Sequence, residues 1–209
     1  MAMKNKMILI LGGSRSGKSE FAEKLMQRST KKRKAYIATS PIYDDEMKYR
    51  VILHQKRRPS DWMTYEIMGE MREQISDILD KTDIILFDCI TMYVNNILMK
   101  YIGDKTQDKP DSYEMKVFDT LNLDDLDVLT KALQKDLDFM FDAIDQRTEK
   151  DIIFVSDELG MGIVPANTMS RTYRDLVGFA NQYIAKKSDA VYFSVAGIVT
   201  EIKSRGVEW

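Results

Sequence analysis

One cysteine, Cys89, and one histidine, His54, are all that 209 residues hold of either type. A lone cysteine excludes a disulfide within the chain and fits a reducing compartment. So few Cys and His side chains also leave no ligand set for a structural zinc. An excess of basic charge is missing too. The net charge is −2 and the pI about 5.6, so there is no electrostatic footprint for nucleic acid. No apolar run approaches the ~18–20 residues that span a bilayer, so no membrane insertion is expected. Met1–Lys6 pass straight into an apolar strand, so no secretory leader is expected and the cytoplasm is the expected location. No internal repeat is present.

What remains is the composition of an ordinary globular chain, 44% hydrophobic and 31% charged. Its length suits one α/β domain with a large core and is short for two, so residues 1–209 are expected to form a single domain. The most informative stretch is Ile8-Leu9-Ile10-Leu11-Gly12-Gly13-Ser14-Arg15-Ser16-Gly17-Lys18-Ser19. An apolar strand runs into G-x-x-x-x-G-K-[ST], and Glu20–Gln27 read as a helix. In such a loop backbone N–H groups wrap phosphates, Lys18 reaches the β- and γ-phosphates, and the Ser19 hydroxyl ligates Mg²⁺. The helix N-terminus behind it adds orphan donors and a favourable dipole. The chain therefore reads as a binder of nucleoside triphosphate. Asp157-Glu158-Leu159-Gly160 spells the D-x-x-G of switch GTPases, but no Gln follows and no N-K-x-D exists, which excludes that class.

Short apolar runs alternate with amphipathic stretches, the pattern of a mostly parallel twisted sheet with helices on both faces. Strands are expected at Met7–Leu11, Ala35–Thr39, Thr64–Ile67, Asp83–Asp88, Asp151–Ser156 and Ala190–Val195. Val199–Lys203 is expected as an antiparallel edge strand turning through Gly197. Helices are expected after the phosphate loop, with Phe21, Ala22, Leu25 and Met26 on one face, and at about Asp44–Arg57. Others follow around Met71–Leu79, Thr91–Tyr101 and Leu123–Arg147. Leu126, Leu129, Leu133, Leu137, Met140 and Ile144 mark the last of these as a core-packed helix. The polar stretch Gly103–Asn122, with Pro110, reads as a surface insertion. Lys31-Lys32-Arg33-Lys34 reads as a solvated turn.

Two further residues carry chemistry. Asp88 ends a hydrophobic strand, where a carboxylate of a phosphate-loop enzyme helps hold Mg²⁺ opposite Ser19. On the expected helix Asp44–Arg57, Glu46, Arg50, His54 and Arg58 recur every four residues and share a face. That sets an imidazole among guanidinium groups, a setting for phosphate contact or for attack on phosphorus by a ring nitrogen. The same spacing also describes a solvated helix face with one ordinary histidine, and both readings stand at this level. Cys89 reads as a small core residue.

Taken together, Gly12–Ser19, Ile37-Ala38-Thr39-Ser40, Asp44-Asp45-Glu46-Met47, His54 with Arg58-Pro59, Trp62 with Glu66, and Glu158-Leu159-Gly160-Met161-Gly162-Ile163-Val164-Pro165 resemble one family. It is the bifunctional adenosylcobinamide kinase/adenosylcobinamide-phosphate guanylyltransferase family of cobalamin assembly. The resemblance runs from Ile8 to about Lys203. It implies a P-loop NTPase-like α/β fold, with Gly12, Gly13, Ser14, Arg15, Ser16, Gly17, Lys18 and Ser19 around the triphosphate. His54 matches the histidine that becomes guanylylated. Ala38, Thr39, Ser40, Gln55, Lys56, Arg57, Arg58, Glu66 and Asp88 match nucleotide-contacting positions, with Ser19 and Asp88 at Mg²⁺.

The implied substrates are GTP, a phosphoryl donor (ATP or GTP), adenosylcobinamide and adenosylcobinamide phosphate. The implied assembly is a homo-oligomer, a trimer, without nucleic-acid or membrane partners. Ser14 stands where many relatives have Ala, Asp88 stands where some carry Glu, and the stretch Gly103–Asn122 is longer than usual. From the residues alone no separate base for a kinase step stands out. A kinase of other specificity, or a non-catalytic nucleotide-binding module, also fits the phosphate loop taken by itself.

Overall fold

The computed structural model describes residues 5–41, 45, 49, 58–69, 71–106 and 121–207. Its strands are β1 (Lys6–Gly12), β2 (Lys34–Ala38), β3 (Met63–Glu66), β4 (Ile84–Asp88), β5 (Asp151–Asp157), β6 (Ala190–Val195) and β7 (Ile198–Glu201). Its helices are α1 (Lys18–Arg28), α2 (Ile75–Lys81), α3 (Ile90–Thr106), α4 (Leu123–Asp145) and α5 (Thr168–Lys187). The strands form one seven-stranded sheet in the order β3-β2-β4-β5-β1-β6-β7. The first six are parallel and β7 returns antiparallel to β6.

Alternation along each strand sorts side chains between two layers. Ile8, Ile10, Tyr36, Ile84, Leu86, Ile153 and Val155 face α1, packing on Ala22 and Met26 with Phe21 and Leu25 beside them. Met7, Leu9, Ile37, Ile85, Phe87, Ile152 and Phe154 face the opposite layer, built from α2, α3, α4 and α5. Leu9, Ile10, Phe154 and Val155 are fully buried in the two central strands. Each contributes roughly 1.5–3 kcal/mol of hydrophobic stabilisation. α1 follows β1 on one face and α5 follows β5 on the other. The carboxyl ends of these paired strands therefore open into a crevice, the place where open α/β sheets bind ligands.

The expected strands are all present within a residue or two. Lys203 is the exception, lying in a short 3₁₀ turn at Lys203–Arg205 rather than in the edge strand. The Glu201 carboxylate causes this, since it accepts the N–H groups of Lys203 (2.9 Å) and Ser204 (3.0 Å) and turns the chain. α3 runs past Tyr101 to Thr106, so the expected polar stretch begins as the last turn of a helix, with Asp104 and Lys105 exposed. At the far end Asn122 caps α4 in a reciprocal box, with Asn122 Oδ1 accepting Asp125 N–H and Asp125 Oδ2 accepting Asn122 N–H. Tyr101 and Lys105 also donate to Asp125, each at 2.6 Å, fastening the end of α3 to the start of α4.

Lys34 is not a solvated turn residue either. It opens β2, and its ammonium donates to the Met26 and Ser29 carbonyls at 2.7 and 3.0 Å, closing the C-terminal end of α1. Helix α5 was not among the expected elements. Of the expected helix Asp44–Arg57, Asp45 and Tyr49 are helical and the rest lies outside the described residues, as does the bulk of Gly103–Asn122.

Candidate active site

The loop between β1 and α1 has its shape forced by two glycines. A Cβ on Gly12 would lie 2.5 Å from Ser16 Oγ and closer still to the Ser194 carbonyl oxygen. Gly17 sits at φ 94°, in the left-handed region that side chains disfavour, and a Cβ there would lie 3.3 Å from Gly197 Cα. The loop is held from inside by Ser16 N–H donating to Gly13 O at 3.3 Å. From outside, Ser194 Oγ and Gly197 N–H both donate to the Ser16 carbonyl, at 2.7 and 2.9 Å. The β6–β7 turn thus buttresses the loop. Gly13, Ser14 and Arg15 form its exposed tip, while Ser16 is buried and its hydroxyl has no hydrogen-bond partner among the described residues. Gly17 provides no side-chain cap, so the first N–H groups of α1 face the loop as orphan donors.

Lys18 donates to Gly13 O at 3.1 Å and forms an ion pair with Asp157 at 2.5 Å. The pairing of β1 with β5 puts Gly12 directly opposite Asp157, which makes this contact possible. Asp157 itself is fixed from two sides. Its N–H donates to Thr91 Oγ1 at 2.6 Å, and its carbonyl accepts from Asn181 Nδ2 at 3.0 Å. Thr91 and Asn181 come from α3 and α5. Tyr173 of α5 in turn donates its hydroxyl to the Thr91 carbonyl at 3.0 Å. Burial, aided by the nearby Cys89 and Asp157, pushes the Tyr173 phenol well up, so it acts as a fixed donor.

A second group lies two to four strands from β1. Ala38 is level with Asp88 on one side and with Glu66 on the other, so three of the expected nucleotide-site residues form a row across β3, β2 and β4. Strand spacing makes that row about 10 Å wide. Asp88 accepts the Tyr36 hydroxyl at 3.1 Å, and the Arg58 guanidinium lies 3.6 Å from the centroid of the same ring. Burial first, then the Asp88 charge, raises the Tyr36 phenol well above its ordinary value, with Arg58 acting in the other direction. Tyr36 therefore joins two expected site residues that are distant in sequence.

Thr39 has both capacities of its hydroxyl occupied by the Cys89 backbone, accepting from N–H at 2.9 Å and donating to the carbonyl at 2.7 Å. Asn96 donates to the Thr39 carbonyl at 2.8 Å. Thr39 thereby ties the end of β2 to the end of β4, while Ser40 is half-buried beside it. Cys89 is held protonated, its thiol pushed up to about 12 by burial and then by the Asp88 charge. That disfavours the thiolate, the nucleophilic form, and Cys89 packs against the α1 layer, in keeping with its reading as a core residue.

Gly12–Ser19, Ala38–Ser40, Arg58, Glu66 and Asp88 thus come together at the carboxyl end of the sheet. His54, Gln55, Lys56 and Arg57 lie outside the described residues. Asp157, Thr91, Asn181 and Tyr36 were missed from the sequence. Asp157 carried a usable signal, because it ends an apolar strand as Asp88 does. Beyond it, Met161 and Ile163 stand 80% and 97% exposed on the loop that leads to α5.

Residues 8–202 match the family described as cobinamide kinase / cobinamide phosphate guanyltransferase. The bifunctional adenosylcobalamin biosynthesis protein CobU of Escherichia coli is 36% identical over 197 residues, covering 94% of this chain and 99% of that protein. CobU of Salmonella typhimurium shows the same identity and coverage. The bifunctional adenosylcobalamin biosynthesis protein CobP of Pseudomonas aeruginosa is 31% identical, covering 93% of this chain and 96% of that protein. Among solved structures, a prototypical ATPase from the type III secretion system of pathogenic bacteria aligns with a TM-score of 0.50 at 9% identity. That alignment takes in 97% of this chain and 60% of the ATPase, a likeness of fold.

Proposed function

The chain belongs to the cobinamide kinase / cobinamide phosphate guanyltransferase family, and from that premise we propose two successive reactions at one site. In the first, the aminopropanol hydroxyl of adenosylcobinamide attacks the γ-phosphorus of ATP or GTP and the nucleoside diphosphate leaves. In the second, a ring nitrogen of His54 attacks the α-phosphorus of GTP, the bond to the bridging oxygen breaks, and pyrophosphate leaves. The phosphate of adenosylcobinamide phosphate then displaces His54 from phosphorus, giving adenosylcobinamide-GDP and restoring the free imidazole. Passing through a covalent intermediate divides one displacement into two easier ones.

The observation that supports this most is the convergence of the phosphate loop, Arg58, Ala38, Glu66 and Asp88 at one end of the sheet. Lys18 and the first N–H groups of α1 would neutralise triphosphate oxygens, with Arg57 and Arg58 serving phosphates nearer His54. The row Glu66, Ala38 and Asp88 would take the remainder of the nucleotide. Ser19 and Asp88 offer hard oxygen donors, a set that suits Mg²⁺, and that ion supplies charge neutralisation on the phosphates when bound. The protein acts in the cytoplasm as a homo-oligomer, a trimer, on small-molecule substrates and without nucleic acid or membrane partners.

Incubation with Mg²⁺ and α-labelled GTP, followed by denaturation, tests the reading. Acid-labile, alkali-stable label on the wild type and none on His54→Ala is the expected result. Absence of label on wild type that binds GTP would favour a plain kinase instead.

A further inference from the structure

We propose that Asp157 is the proton acceptor of the kinase half-reaction, the group that takes the hydrogen of the attacking hydroxyl. The inference rests on the kinase reading above and assigns a residue that the sequence left without a candidate. Lys18 of the phosphate loop is the group that meets the β- and γ-phosphates. A carboxylate 2.5 Å from its ammonium therefore lies beside the place where the γ-phosphorus must sit. Asp88 is one strand further out, and its register partner is Val155, two residues short of Asp157.

Asp157 is also built as a fixed base should be. Its backbone is anchored through Thr91 and Asn181, on two different helices, while its side chain remains a quarter exposed. The next residue, Glu158, donates its N–H to the Gly12 carbonyl at 3.1 Å, which locks the strand end against the loop. Among the described residues, the Lys18 contact is the one that has to give way on triphosphate binding. The loop that continues from Asp157 presents Met161, Ile163 and Val164 to solvent, apolar side chains of a kind that suits a large, partly apolar alcohol.

The step balances. The hydroxyl oxygen forms a bond to the γ-phosphorus, the bond from γ-phosphorus to the bridging oxygen breaks, and the hydroxyl proton passes to an Asp157 oxygen. The nucleoside diphosphate carries away the electron pair. The proton returns to water after product release.

Guanylylation of His54 occurs at the α-phosphorus and needs no such base beside the γ-phosphate, so the two activities should separate. In Asp157→Asn the rate of adenosylcobinamide phosphorylation is expected to fall by ~100-fold or more, and by at least ~10-fold more than labelling by α-labelled GTP or transfer to supplied adenosylcobinamide phosphate. GTP affinity is expected to hold or rise, because Lys18 is released from its ion pair. Equal loss of both activities, or loss of neither, would overturn the assignment and leave the family activities of the wild type standing. Recovery of the variant's kinase rate at high Mg²⁺ would make Asp157 a cation ligand and likewise overturn it. A wild type that is guanylylated yet never phosphorylates adenosylcobinamide would instead remove the kinase reading, and this assignment with it.

Discussion

Ser194 donates its buried hydroxyl to the Ser16 carbonyl at 2.7 Å, across 178 residues of sequence. The Gly197 N–H reaches the same oxygen from the turn that follows. A phosphate loop must aim its own N–H groups inward at an anion, which leaves its carbonyls pointing outward and in need of donors. The antiparallel hairpin at the sheet edge supplies two of them. Its position beside β1 thus has a consequence for nucleotide binding, although neither Ser194 nor Gly197 was an expected site residue.

Ser194→Ala should accordingly weaken triphosphate binding without unfolding the chain. One neutral hydrogen bond contributes about 1 kcal/mol, equivalent to roughly fivefold in affinity, and Gly197 still satisfies the Ser16 oxygen. Calorimetric titration with GTP beside a thermal melt checks this. A lowered melting temperature with unchanged affinity would mean that the hairpin supports only the fold.

Lys18→Ala has a larger expected effect. A charge-assisted contact to phosphate contributes about 1.5–3 kcal/mol, so GTP affinity should fall by roughly 10- to 100-fold, and both phosphorylation and guanylylation should vanish. The substitution also leaves Asp157 without its ammonium partner, adding negative charge where phosphate would bind. Wild-type turnover in this variant would remove the phosphate loop as the site.

Acid sensitivity is expected at the opposite end of the sheet. Arg33 donates two guanidinium hydrogens to Asp83 Oδ1, at 3.0 and 2.6 Å, and its backbone N–H to Oδ2 at 3.0 Å. The guanidinium contacts chiefly hold the Asp83 carboxyl at about 2, below its ordinary 3.8. A depressed carboxyl stabilises the fold above its unfolded-state value and loses that contribution as pH falls through the folded one. After allowance for solvent screening this amounts to about 1 kcal/mol. Asp83→Asn should therefore be less stable than wild type at neutral pH, and the gap should close as pH drops from 3.8 toward 2. Urea denaturation at stepped pH measures it, and a gap that widens on acidification would contradict the assignment.

These relationships also explain what local sequence could and could not disclose. The strands and the phosphate loop were legible because Leu9, Ile10, Ile85 and Phe154 sit in short apolar runs bounded by polar residues. α5 was not, because Thr172, Tyr173 and Asn181 interrupt its inward face with polar atoms that serve the strand ends. Asp88 and Asp157 look alike in sequence, each closing an apolar strand. Which of them meets Lys18 depends on strand order, and the order places β5 rather than β4 beside β1. That pairing is set by long-range packing of four helices on one face, information no window of neighbouring residues contains. The Tyr36 bridge between Asp88 and Arg58 was hidden for the same reason.

The two neighbouring glycines of the loop should answer differently to the same change. In Gly12→Ala the new methyl would press on the Ser194 backbone carbonyl and on Ser16 Oγ, 2.5 Å away. Ser194 lies within β6, so the carbonyl can yield only by shifting the pairing of β6 with β1. Overpacking of this kind costs about 1–3 kcal/mol, and Gly12→Ala should melt several degrees below wild type. Around Gly13 nothing lies within 4 Å of an added Cβ, and its φ is not in the positive range. Gly13→Ala should keep the wild-type melting temperature, or exceed it slightly through the smaller entropy of its unfolded chain. Paired thermal melts of the nucleotide-free proteins decide the matter. Equal destabilisation of both would mean that the loop rests less closely on β6 than the Ser194 contacts require.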